Sequence, residues 1–353
     1  MQTVLTVERR KFFSISSRAA LAGLSASVLS AFRPVKGRKT VMSLVRPDRL
    51  RVGARVALIA PASPVTEEKI TKALGNLAML GYAVQEGKFL RVHNGHLAGT
   101  DAQRLEDLHW AFSDPLIDAV WCVRGGYGCT RLLPMIDYAL IRKNPKPFIG
   151  FSDVTALHHA FLQRSGLSTY HGPVAGGDFP EATLRHFNAI VSEVSAAYTV
   201  PLIKSGEDGT GEVFQSFVIT PGKAQGALTG GNLALLAAMT GTPFQPVFKD
   251  KLVFMEDIDE SPYRIDRMLT QLLQGTDLRE AAGIALGVFA GCSPKPGMLS
   301  MSLQDTLRDR LGALGIPVVY GFPFGHVAHQ MTFPMGVLGE MDSTAGTLTI
   351  FNT

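Results

Sequence analysis

Long hydrophobic runs are missing from this 353-residue sequence. No stretch reaches the roughly 18 to 20 consecutive apolar residues that a membrane-spanning helix requires, so no integral membrane span is expected. Cysteine is scarce: Cys122, Cys129 and Cys292 make an odd set without metal-ligand spacing, which gives no reason to expect a metal site and leaves the redox compartment open. Cys122 falls in an apolar run and reads as core. The string Gly125-Gly126-Tyr127-Gly128 lacks both the GxGxxG pattern and the Lys-Ser/Thr of a P-loop, so no nucleotide, and no other cofactor, is expected. GxSxG is absent too, as are internal repeats and low-complexity tracts. Tryptophan occurs only at 110 and 121.

What is present describes an ordinary globular protein, 46% hydrophobic and 18% charged, with more residues than one compact core usually holds. Two modest domains are the default. The net charge of +4 is unevenly spread: residues 1–41 hold eight Lys/Arg and one acid, Glu8, for a net of +7, and the remainder carries 26 basic against 29 acidic residues, a net of −3. The basicity therefore belongs to a leader and does not signal a nucleic-acid surface. That leader places Arg9-Arg10 before Phe12-Phe13, then a small-residue apolar stretch from Ala19 to Ala31, and resembles a twin-arginine export signal.

From residue 54 the pattern turns to short apolar runs alternating with amphipathic helices. Arg55 to Ala60 reads as a buried strand, Glu67 to Leu80 as a helix closed by Gly81, and Ala119 to Val123 as another strand after a helix through Arg104 to Phe112. A third run, Pro147 to Gly150, leads into Phe151-Ser152-Asp153 and a helix from Thr155 to Arg164. The βαβαβ order predicts an α/β fold: a doubly wound parallel-sheet domain over residues 45–185, a Ser/Gly/Glu-rich connector over 186–222, and a smaller mixed α/β domain over 223–350. In the last of these, strands are expected at 251–255, 283–289 and 317–320, with a helix from Tyr263 to Leu273.

Ser152 stands where a strand gives way to a helix. Its hydroxyl would be presented at the top of the sheet, with the N–H of Asp153 free to face an oxyanion and a second donor from Gly125 or Gly126. The same position suits a serine and an aspartate that only cap the helix. A nucleophilic serine needs a base with near-neutral pKa, and nine histidines compete for that role. A carboxylate at the end of the apolar strand at 251–255 would serve to orient it, and Glu256, Asp257, Asp259 and Glu260 are not distinguished by spacing. Cys129 is a rival nucleophile with no local His/Asn constellation.

The strings AlaProAlaSerPro at 60–64, ArgGlyGlyTyrGly at 124–128, GlyPheSerAsp at 150–153, GlyGlyAsnLeu at 230–233, GluAspIleAspGluSerProTyrArg at 256–264 and GlyPheProPheGlyHis at 321–326 occur together and in order. With them the chain resembles, over residues 45–350, the LD-carboxypeptidase family of serine peptidases, which includes murein tetrapeptide carboxypeptidases and microcin immunity proteins. The resemblance implies a Ser152, Glu256 and His326 triad and release of the terminal D-alanine from a murein tetrapeptide through an acyl-enzyme, without metal. A murein peptide is then the expected partner, with Arg124 or Arg264 binding one of its carboxylates, and a homodimer is an open expectation. Two alternatives are an immunity-type hydrolase of peptidyl or aminoacyl nucleotide antibiotics, whose family members use an aromatic platform over the site, and a non-catalytic peptidoglycan-binding protein.

The leader predicts a periplasmic or otherwise exported enzyme; a start at Met42 would give a cytoplasmic one. Fractionation of cells expressing the full chain is expected to find a shortened product outside the cytoplasm and an Arg9→Lys/Arg10→Lys variant held inside. An unprocessed cytoplasmic product from both overturns export.

Overall fold

The first half of the chain builds its sheet from strands of two to five residues, each handed to the next through a helix. The computed structural model describes residues 42–193, 195–203 and 215–351; the expected export leader lies outside the described residues. In order come β1 (Arg55–Ile59), α1 (Glu67–Met79), β2 (Ala83–Glu86), α2 (Asp101–Ser113), β3 (Ala119–Cys122), α3 (Cys129–Leu132), α4 (Tyr138–Lys143), β4 (Phe148–Gly150), α5 (Thr155–Arg164) and β5 (Tyr170–His171). Local chemistry sets the boundaries. The Thr66 hydroxyl accepts from the Lys69 N–H at the start of α1, and Thr100 and Gln103 form a reciprocal capping box at the start of α2.

The remaining elements are α6 (Glu181–Phe187), β6 (Ala197–Pro201), β7 (Phe217–Thr220), β8 (Lys223–Asn232), α7 (Leu233–Ala238), β9 (Lys251–Ile258), α8 (Pro262–Gly275), β10 (Gly283–Ala290), α9 (Leu303–Leu311), β11 (Val318–Gly325), β12 (Phe333–Pro334), β13 (Leu338–Asp342) and β14 (Thr347–Phe351). They complete two sheets, ordered β12-β5-β4-β3-β1-β2 and β6-β14-β13-β8-β9-β10-β11-β7. The first is parallel from β5 to β2, with β12 antiparallel at its edge. The second has a parallel centre, β8 to β11, with antiparallel strands on both flanks. The expected mixed α/β fold, a parallel-rich N-terminal sheet and a second C-terminal sheet, is the one adopted.

Side-chain alternation along β1 and β3 explains the layering. Ala57, Ile59, Val120 and Cys122 pack with Leu105, Leu108 and Phe112 of α2, and Val56, Leu58, Ala119 and Trp121 pack on the other face with Ile70, Ala73 and Leu77 of α1. Helices therefore cover both faces, and the runs 56–59 and 119–122 are apolar because neither face meets water. Within the expected connector, β6 and β7 join opposite edges of the second sheet. Their sequences, AlaTyrThrValPro and PheValIleThr, are short edge segments with little apolar alternation to announce them.

Helix α5 touches the second sheet at two polar points. His159 Nε2 lies 2.9 Å from the Gly230 carbonyl oxygen, and the Asn232 N–H donates to Thr155 Oγ1 at 3.1 Å. β8 can come this close because Gly231 has no side chain to meet Thr155, as Gly230 has none to meet β9. Both hold positive φ, and a Cβ on Gly230 would fall 1.8 Å from the Phe254 carbonyl oxygen. Gly230→Ala is expected to destabilise the protein by about 3 kcal/mol or more, read as a lower urea midpoint; an unchanged midpoint would show that β8 and β9 can part without cost.

Candidate active site

The turn after β4 forces Ser152 into an unusual backbone. Phe151 is extended, Ser152 has φ of 64°, and a 3-10 turn over 152–154 then feeds α5. A left-handed serine costs about 1 kcal/mol or more, and the turn persists because its surroundings fix it. Gly125, on the loop after β3, is packed so closely that a Cβ there would lie 2.9 Å from Ser152 Cβ and 3.1 Å from the Asp153 nitrogen. The Asp153 carboxylate is buried and accepts from the Cys129 N–H at 2.8 Å, which ties the turn to the start of α3. Neither Ser152 nor Asp153 caps α5 with its side chain.

The other two triad candidates come from the second sheet. Glu256 is fully buried near the carboxyl end of β9, and His326 follows β11. His326 Nδ1 lies 2.7 Å from Glu256 Oε2, and its Nε2 lies 3.1 Å from Ser152 Oγ. Gly325 is needed between them: its φ is +121°, and a Cβ would meet the Val288 carbonyl oxygen at 2.6 Å and Glu256 Cβ at 3.2 Å. Burial alone would lower the His326 pKa, but the Glu256 charge and hydrogen bond, with Asp257 and Asp259 adding, outweigh it and raise the pKa above its ordinary value. The neutral ring carries its proton on Nδ1, donated to Glu256, and leaves Nε2 free to accept the serine proton.

The competing acids have other partners. Asp257 bonds Asn232 Nδ2 and the N–H groups of Ala234 and Ile258, and burial, with the neighbouring Glu256 charge, pushes its pKa up to about 7. Glu260 pairs with Arg264 at 3.0 Å, so that guanidinium is already engaged on a carboxylate of its own helix turn. Arg124 bonds only carbonyl oxygens, those of Gly125 and Pro64, and no carboxylate pairs with it among the described residues. Gly126, at φ +118°, backs onto Ser63, whose hydroxyl accepts from the Tyr127 N–H. Cys129 is buried, and burial, then the Asp153 charge, drives its thiol pKa well above the ordinary value, which removes the thiolate a nucleophile needs.

The other histidines near the turn are structural in their contacts. His158 is buried between Thr169 Oγ1 and the Gly150 carbonyl oxygen, with its pKa lowered to about 3 by burial; His159 is lowered to about 4 for the same reason. Sequence reasoning did not find Thr155 or Ser63, which hold the backbone around the site through single hydroxyl contacts, or Phe151, whose ring centroid lies 4.8 Å from that of His326. A hydroxyl that serves its neighbours' N–H groups has no periodicity to detect.

A family model described as the LD-carboxypeptidase N-terminal domain matches residues 56–172, and one described as the LD-carboxypeptidase C-terminal domain matches residues 225–341. A probable murein peptide carboxypeptidase of Bacillus subtilis is 41% identical over 318 residues, covering 88% of this chain and 96% of that protein. The crystal structure of a muramoyltetrapeptide carboxypeptidase from Oxalobacter formigenes superposes with a TM-score of 0.74 at 31% identity, covering 85% of this chain and 99% of that one. An MccF-like protein from Bacillus anthracis gives a TM-score of 0.77 at 27% identity, over 88% of this chain and 100% of that one.

The Glu256–His326 contact predicts that an NMR titration places the His326 pKa above the ordinary histidine value, and that Glu256→Gln lowers it, because the carboxylate stabilises the imidazolium. An unchanged pKa in the variant would mean that Glu256 does not hold the ring.

Proposed function

The chain belongs to the LD-carboxypeptidase family, and from that premise we propose that it hydrolyses the L,D-amide bond releasing the terminal D-alanine of murein tetrapeptides, with Ser152 as nucleophile. The observation that carries this reading is the continuous relay from Ser152 Oγ through His326 to the buried Glu256, with contacts of 3.1 and 2.7 Å. Ser152 Oγ attacks the carbonyl carbon while His326 Nε2 takes its proton. Glu256 holds the imidazole and stabilises the imidazolium that forms. The N–H of Asp153, with one from Gly125 or Gly126, receives the oxyanion; the close approach of Gly125 to the Asp153 nitrogen supports that pairing. His326 returns the proton to the departing amine, and a water deprotonated by the same nitrogen then hydrolyses the ester.

Arg124, without a carboxylate partner among the described residues, is the better of the two candidate cations for a substrate carboxylate, since Arg264 is held by Glu260. The fold of the MccF-like neighbour favours a second reading, hydrolysis of an aminoacyl nucleotide antibiotic. Against it, neither tryptophan is available as an aromatic platform: Trp121 is buried against Phe187 and bonds the Pro173 carbonyl, and Trp110 is bonded to Asp114 on α2. Export by the Arg9-Arg10 leader belongs to the first reading. Among the described residues, no helix is long and apolar enough to cross a membrane.

Turnover of a murein tetrapeptide and an aminoacyl sulfamoyl adenylate, measured side by side, separates the two readings. Ser152→Ala is expected to lose a thousandfold or more in kcat on the preferred substrate, and Cys129→Ala to keep its activity. A Ser152→Ala variant that retains turnover, or a larger loss in Cys129→Ala, would overturn the assignment. Because His326 must be neutral to accept a proton, kcat/KM should rise with pH through its raised pKa.

A further inference from the structure

Two tyrosine rings stand half-exposed among the described residues, Tyr127 and Tyr263, each 51% accessible. Tyr263 already carries a cation, the Arg267 guanidinium at 5.5 Å from its ring centroid. Tyr127 has a different neighbour. Its ring lies 5.4 Å from that of the exposed His96, tilted by 54°, so the two present an open aromatic angle.

The backbone beneath Tyr127 is fixed on every side. Its N–H donates to Ser63 Oγ at 3.0 Å, Gly125 packs on the nucleophile turn, and the Gly128 carbonyl accepts from buried Arg104 at 2.9 Å. Arg104 bonds the Pro61 carbonyl as well, so one guanidinium clamps the loops after β1 and β3 together. The loop carrying His96 is tied in by the Ala98 N–H, which donates to the Ala62 carbonyl at 3.0 Å. An exposed ring on an immobilised loop binds without an ordering penalty, which is the condition for a recognition surface.

We propose that Tyr127 and His96 form the subsite for the sugar ring of a muramoyl peptide, an inference that rests on the murein-peptide reading above. A pyranose offers an apolar C–H face to a phenol ring, and its hydroxyls match the polar edges of tyrosine and imidazole. The reach is suitable. Three residues separate the scissile carbonyl of a tetrapeptide from its sugar-bearing end, an extended span of about 10 Å. Tyr127 follows Gly125, which touches the Ser152 turn, by two residues, about 7 Å of chain, before its ring extends further.

The test compares kcat/KM on a muramoyl tetrapeptide with that on the same tetrapeptide lacking the sugar, for wild type, Tyr127→Ala and Tyr127→Phe. The ratio of the two values should fall about tenfold in Tyr127→Ala, through KM on the sugar-bearing substrate, and stay within about twofold of wild type in Tyr127→Phe. An unchanged ratio in Tyr127→Ala, whether both substrates weaken together or neither does, overturns the subsite alone. Wild-type protein that cleaves neither peptide overturns the substrate reading and the subsite with it.

Discussion

The register between α5 and β8 is the constraint on which the site depends. Ser152 begins the turn into α5, Thr155 Oγ1 receives the Asn232 N–H, and Asn232 stands opposite Glu256 in the parallel pairing of β8 with β9. Ser152 and Glu256 are thus linked by one hydroxyl contact and one strand register. A slip of β9 by a single residue would turn Glu256 to the other face of the sheet and remove it from His326. Gly231 and Gly230 keep that register possible, since a Cβ on the first would meet Thr155 of α5 and one on the second Phe254 of β9.

Electrostatics follow from the same arrangement. Two adjacent carboxylates, Glu256 and Asp257, point to opposite sides of β9. One meets the imidazole of His326; the other, raised to about 7, holds the first turn of α7 through Asn232 and Ala234. Alternation along a strand separates their environments and gives like residues unlike duties. The buried histidines His158 and His159 are kept neutral by burial, which leaves His326 as the imidazole whose pKa is raised.

Much of this was legible in the sequence. The runs at 55–59, 119–122 and 148–150 are apolar because both faces of the first sheet are covered, and that pattern alone places Ser152 at a strand end. Its left-handed backbone was not legible, because the contacts that hold it come from elsewhere: Gly125 packs on the turn, and the Cys129 N–H binds the Asp153 carboxylate. His326 could be chosen among nine histidines only by resemblance, since nothing local distinguishes a ring whose partners lie 70 and 174 residues away. β12 was also invisible, a two-residue pairing fixed by its neighbours.

That small strand has a consequence for how the chain matures. β12 closes the edge of the first sheet by pairing Phe333 and Pro334 with His171 and Tyr170, so the sheet that leads into Ser152 is finished by residues far along the chain. During synthesis on the ribosome, β5 must wait with an unpaired edge while about 160 further residues are made, and only the emergence of β12 can seal it. His326 has the same timing, because it emerges just before β12. The contact of Ser152 with His326 can therefore form only after the central strands of both sheets have been made.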